Sequence, residues 1–124
     1  MTTTPTLLGL RRQATTGASG FALQNATPTI ATYTAPNDGN IHMVAVFVTL
    51  VVTSLETGGA IQVASTGALG LTSTMFAGGA AAGTVMNTAI VPLFAVSPGA
   101  TVNINQSSAL TAGAATVYTE IWAT

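Results

Sequence analysis

The stretch Asn40–Ser54 reads NIHMVAVFVTLVVTS and is the most apolar run of the chain. Whether it spans a membrane, coils as a helix or extends as a strand decides the fold. Its apolar part, Ile41 to Val52, is about twelve residues, short of the roughly 20 that cross a bilayer as a helix. It holds His42 and Thr49 and is dense in valine, and β-branched side chains favour strands over helices. Pro36-Asn37-Asp38-Gly39 just before it is a turn signal: proline presets φ, Asn and Asp bond locally to the backbone, and glycine permits positive φ. The stretch is therefore read as a strand entered from a turn.

Splitting that strand by parity gives two apolar faces. One carries Ile41, Met43, Ala45, Phe47, Thr49 and Val51; the other carries His42, Val44, Val46, Val48, Leu50 and Val52. A half-buried antiparallel strand should alternate between apolar and polar. Because this one does not, something must cover both sides. An opposing sheet covers one, and a neighbouring subunit is the simplest cover for the other. The expected oligomer interface is His42, Val44, Val46, Val48 and Leu50.

The rest of the chain is punctuated in the same way. Candidate strands lie at 21–24, 29–34, 60–64, around 71–76, at 88–96, 101–105 and 115–123, separated by turn residues such as Thr57-Gly58-Gly59 and Ser97-Pro98-Gly99. Pro92 cannot donate to a ladder, so it must sit at an edge or a bulge. Gly67–Gly83 is rich in small residues and reads as a short strand with a Gly/Ala loop. Residues 1–19 read as an extended N-terminal arm, with the apolar knot Leu7, Leu8 and Leu10 and the pair Arg11 and Arg12. The expected fold is all-β: a single antiparallel sandwich or jelly roll of about eight strands over residues 20–124.

Composition narrows function. In 124 residues there are 0 cysteines, two cations, three acids and one histidine, so only 4% of residues are charged, against about 25% in typical soluble domains. No disulfide or thiolate metal site is available. With Arg11 and Arg12 the only cationic side chains, phosphate neutralisation is weak and no nucleic-acid partner is expected. No membrane span and no secretory signal are expected either: in MTTTPTLLGLRRQ the arginines follow the apolar piece instead of preceding it. The formal charge of −1 leaves little self-repulsion, which favours association.

Asp38, Glu56, Glu120 and His42 are the whole titratable pool for acid–base work. Asp38 reads as a turn former and His42 as a packed or interface residue. The set is too small for a catalytic pair or a three-ligand metal site within one chain, so no enzyme, metal or cofactor is expected. Asn25-Ala26-Thr27 and Asn105-Gln106-Ser107 read as chance sequon matches in a Thr/Ser-rich chain. Arg11 and Arg12, alone on a neutral segment, suit bidentate bonds to carboxylates on an acidic surface.

The segment TYTAPNDGNIHMVAVFVTLVV, residues 32–52, resembles the strand, turn and long strand of small trimeric jelly rolls of the C1q/TNF-like kind. VSPGATVNINQSSALTAGAATVYTEIWAT, residues 96–124, resembles their closing strand pair. Chains similarly rich in Thr, Gly and Ala, without cysteine and poor in charge, are familiar among tailed-phage virion proteins. These include capsid decoration (cement) proteins and head or tail fibre modules. The resemblance implies a virion protein on the capsid surface, made in the host cytoplasm, trimeric, and partnered by the major capsid protein. The arm residues Leu7, Leu8, Leu10, Arg11 and Arg12 would then anchor it. The alternative is a fibre or receptor-binding module, for which aromatic content of 6% is low.

Overall fold

A computed structural model describes residues 6–7, 9–66, 72–83 and 85–124. In chain order the strands are β1 (Thr6–Leu7), β2 (Leu10–Thr15), β3 (Phe21–Ala22), β4 (Thr29–Thr34) and β5 (His42–Gly58). They continue with β6 (Ile61–Ser65), β7 (Thr72–Phe76), β8 (Val85–Val96), β9 (Thr101–Gln106) and β10 (Leu110–Ala123). The apolar stretch is the first two-thirds of β5, a strand of 17 residues.

The strands form two antiparallel sheets. The larger has the order β1-β2-β10-β5-β8, with β3 beside β2 on the same partner β10; the smaller has the order β4-β9-β6-β7. Pairing is nested: β2 with β10, β4 with β9, β5 with β8, and β6 with β7. That is one long antiparallel hairpin ladder rolled over itself, and the β5–β10 and β6–β9 ladders close the roll. The result is a jelly-roll β-sandwich, as the turn spacing predicts.

The core lies between the sheets. Val44, Val46, Val48, Leu50 and Val52 of β5 meet Ile61 and Val63 of β6 and Val102 and Ile104 of β9 in one cluster, with Val117, Ile121 and Ala123 of β10 beside them. Most of these side chains are fully buried. Burying one valine or isoleucine contributes about 1.5–3 kcal/mol, so this cluster is the main stabilising term of the fold.

One polar side chain belongs to that interior. Gln106 is fully buried at the end of β9. Its Oε1 accepts from the Gln24 N–H at 2.9 Å, and its Nε2 donates to the main-chain oxygens of Gln24 at 2.6 Å and Ser108 at 3.1 Å. It therefore supplies the acceptor for the Gln24 N–H, while β10 pairs with the rest of this connection through Leu110 N–H to the Gln24 oxygen and Leu23 N–H to the Ala115 oxygen, both at 2.9 Å.

Two local devices shape the long strands. Gly113 has φ +88° at a bulge of β10, and a Cβ there would run into the Leu55 main-chain oxygen, so only glycine fits. Pro92 lies on β8, an edge strand of the larger sheet, within the register shift between the Val46–Val91 and Val44–Phe94 pairs. An edge and a bulge are the two places that tolerate a missing N–H.

Two sequence expectations change. Residues 10–15 are not part of an arm leaving the sandwich: they are β2, paired with β10 from Glu120 to Ala123, and Leu10 is buried. Without β2 the edge of β10 from Glu120 to Ala123, beyond the part that β3 covers, would stand unpaired, which is the physical reason the segment docks there. Leu8 and residues 1–5 lie outside the described residues, and of Leu7 the backbone alone is described. Nor are His42, Val44, Val46, Val48 and Leu50 available to a neighbouring subunit. They point into the sandwich and are covered by their own chain. The face of β5 left uncovered by the second sheet is the other one.

Candidate functional site

That other face is the outer surface of the larger sheet. Register sets its rows. Val51 lies beside Thr116, Thr49 beside Tyr118, Phe47 beside Glu120, and Ala45 beside Trp122. Strand β2 extends two rows, with Thr15 opposite Glu120 and Arg12 opposite Trp122. Met43, Phe47, Val51 and Trp122 are half-buried, and Tyr118 is exposed. Ile41, just before β5, and Leu55, in the bulged last third of β5, are 56% and 65% exposed, a large solvent exposure for such apolar side chains.

A polar cluster sits among these residues. Glu120 receives Arg12 Nη1 on Oε2 at 3.2 Å and Trp122 Nε1–H on Oε1 at 3.3 Å. Arg12 and Glu120 are both well exposed, so solvent screens the ion pair and its contribution is about 1 kcal/mol or less. Its consequence is orientation: one carboxylate fixes an indole on its own strand and a guanidinium 108 residues away in sequence.

The segment after β2 forms a wall beside this cluster. Thr16 binds back to β10 twice: its N–H donates to the Thr119 oxygen at 3.2 Å, and its Oγ1 accepts the Thr119 N–H at 3.0 Å. Gly17 N–H donates to Thr15 Oγ1 at 3.0 Å, which tightens the turn. Between wall and sheet lies an open groove of about 530 Å³, floored by Phe47, Thr49, Tyr118 and Glu120 and bordered by Arg12 and Thr15. The groove is amphipathic: aromatic surface, hydroxyls, and one balanced pair of charges.

The other titratable groups are engaged in the scaffold. Asp38 Oδ1 accepts the Asn40 N–H at 3.0 Å and faces His42 Nε2 at 3.0 Å, while His42 Nδ1 lies 2.9 Å from the Thr124 main-chain oxygen. Both partners of the imidazole are acceptors, and only the doubly protonated ring can donate to both. The bond to the Thr124 oxygen, and then that to Asp38, accordingly hold the His42 pKa above its ordinary value. The Asn40 N–H, and then His42, hold the Asp38 carboxyl below its own. Burial, with a smaller push from Asp38, raises the Tyr33 hydroxyl. This triad ties the turn before β5 to the end of the chain.

Glu56 is buried, its Oε1 accepting the Ala80 N–H at 3.1 Å while its own N–H donates to the Ala80 oxygen at 3.2 Å. Its Oε2 has no hydrogen-bond partner among the described residues. Within that same set, no three His, Cys, Asp or Glu side chains gather as metal ligands.

Of the sequence-predicted site residues, Arg12 alone enters the outer-face cluster; Arg11 is exposed beside it on β2, and Leu10 is buried. Glu120, Tyr118 and Phe47 were not singled out as a site in the sequence. The shared parity of Tyr118, Glu120 and Trp122 in YTEIW placed those three on one face, but their partners on β2 and β5 lie far away in the chain. Compared with models of known families and with curated proteins, the chain gives no match.

Proposed function

We propose that this chain is a non-catalytic structural protein of a virion. It acts as a capsid decoration protein that binds the outer surface of a phage head as an oligomer and stabilises the shell. The observation that carries this reading is the outer face of the larger sheet. It is a broad, charge-poor surface bearing Met43, Phe47, Val51, Tyr118 and Trp122 partly in solvent, on a sandwich that already has a complete core. Such a face suits burial against protein better than chemistry, since its one acid and one base neutralise each other. The virion setting rests on the resemblance in composition and in the two segments quoted above. The same resemblance implies the major capsid protein as partner and a threefold oligomer.

The mechanism is linkage. A protein that binds the assembled shell and not its free subunits shifts the equilibrium toward the shell, by an amount that grows with occupancy. Several protomers joined in one oligomer act at high effective concentration, so modest contacts suffice for tight attachment. Quantitative mass spectrometry of purified particles tests the role. Copies comparable to the shell protein are expected, and the absence of the chain from particles would overturn it.

The groove favours a second reading, a fibre or receptor-binding module. It brings exposed Tyr118 and half-buried Phe47 together with threonine hydroxyls and the Arg12–Glu120 pair, a mixture suited to a neutral polar ligand. A handful of copies per particle, with cell or glycan binding abolished by Tyr118→Ala, would favour this reading over decoration.

A further inference from the structure

We infer that the outer face of the larger sheet is covered by the same face of a second copy, giving a twofold, sheet-on-sheet dimer. The inference deepens the assembly role proposed above and takes from it the existence of an oligomer. The pairing mode, and a symmetry that departs from the threefold expectation, come from the geometry.

Area is the first argument. From Met43 to Val51, where β8 lies beside β5 and the ladder with β10 is regular, the face runs about 27 Å at roughly 3.4 Å per residue. Its four strand positions (β2 with β3, then β10, β5 and β8) are about 19 Å wide at roughly 4.8 Å spacing. The product is about 500 Å² for each copy, so two such faces together bury about 1,000 Å², the size at which an interface becomes specific. One copy of this face is therefore large enough to cover another.

Charge is the second. The face carries Arg12 and Glu120, already paired at 3.2 Å, and β3 and β8 contain no charged residue in their sequences. Two such faces meet without net repulsion, and neither brings an unpaired ion into the contact. A strongly acidic or basic partner would find no complement there.

Shape decides the symmetry. A sheet face is covered across its full width by another sheet stacked about 10 Å away, and two identical faces stacked this way are related by a twofold axis. The contact is then isologous, with Phe47 and Tyr118 near its middle on both sides. Copies grouped around a threefold axis meet along narrower borders and leave part of this face in water. The parity of β5 has the same explanation: its even residues meet the second sheet of their own chain, and its odd residues meet the neighbour.

Light scattering on the purified chain over a range of concentrations tests this. The expected mass is twice the 12.3 kDa of the chain. Phe47→Lys and Tyr118→Lys alter side chains that are half-buried or exposed in one copy, so both are expected to fold. Each should weaken association at least a hundredfold, as loss of a central aromatic anchor does. Thr32→Lys, on the outside of the smaller sheet, should leave the dimer intact. Should either lysine variant fail to fold by circular dichroism, Thr49→Cys keeps the test open. In a chain with no other cysteine, a short bismaleimide should link two Thr49→Cys copies and not two Thr32→Cys copies. A monomer at all concentrations, a trimer, or a dimer unaffected by both lysines would overturn the inference. Particle copy number reads separately: a dimer in solution with no copies on particles would sink the decoration role and leave the pairing standing.

Discussion

Val46 and Phe47 are neighbours in sequence on opposite faces of β5, and comparing Val46→Ala with Phe47→Ala measures which face is the core. Val46 is fully buried between the sheets, while Phe47 is half-buried on the outside. Val46→Ala removes two methyl groups from a packed interior. At about 0.8 kcal/mol for each, plus roughly 1 kcal/mol for the cavity left behind, the expected loss is about 2–3 kcal/mol. Phe47→Ala removes the larger side chain but from a site still wetted in a single copy, so in the monomer it should cost about 1 kcal/mol. The assay is urea unfolding at protein concentrations low enough to keep the chain monomeric, with the midpoint falling and the slope unchanged. At higher concentration, Phe47→Ala should fall further behind the wild type, because the wild type gains stability from association. If Phe47→Ala proved the costlier change in the monomer, the faces would be exchanged and the placement of the core refuted.

Three further outcomes follow from the scaffold. The folded His42 pKa is raised, so its stabilising contribution is full below about pH 6.5 and is lost as pH rises through the higher folded value. The Asp38 contribution has the opposite sign, being present above about pH 3.9 and lost as pH falls through its lowered value. Melting temperature should therefore fall on the alkaline side in the wild type, and His42→Gln should flatten that limb; an unchanged limb would remove His42 as its source. Gln106→Leu keeps the volume but strips the Gln24 N–H of its acceptor, and should cost about 2–4 kcal/mol in the same urea assay. A cost under 1 kcal/mol would mean that the connection repacks. Deleting residues 1–19 removes β2 and unpairs the edge of β10, so the shortened chain should be less stable and prone to aggregate. A soluble deletion variant with an unchanged unfolding midpoint would show β2 to be dispensable.

The fold was legible where local chemistry was strong. The PNDG turn and the valine density of 41–52 marked β5, and the alternation of TVNIN marked β9. Which face of β5 meets the second sheet was not legible, because both faces are apolar and parity alone carries no direction. The choice depends on β6 and β9 packing on the even residues, a long-range fact. LRRQAT was missed as a strand for the opposite reason. It lacks an apolar alternation and is held by pairing with β10, more than 100 residues away. Gln106 continued the inward parity of Val102 and Ile104, but a polar residue there gave no cue that it was buried. The site was scattered likewise: Arg12, Phe47 and Glu120 acquire a common surface once β2, β5 and β10 lie side by side.

Trp122 offers the most direct test, because it is the single tryptophan of the chain and lies half-buried on the outer face. Acrylamide quenching of its fluorescence, followed as protein concentration rises, reports whether that face becomes covered. Self-association through the face predicts quenching that weakens as the dimer forms, and that stays strong at every concentration in Phe47→Lys. Quenching that does not change while the mass doubles would place the contact elsewhere on the molecule and contradict the account.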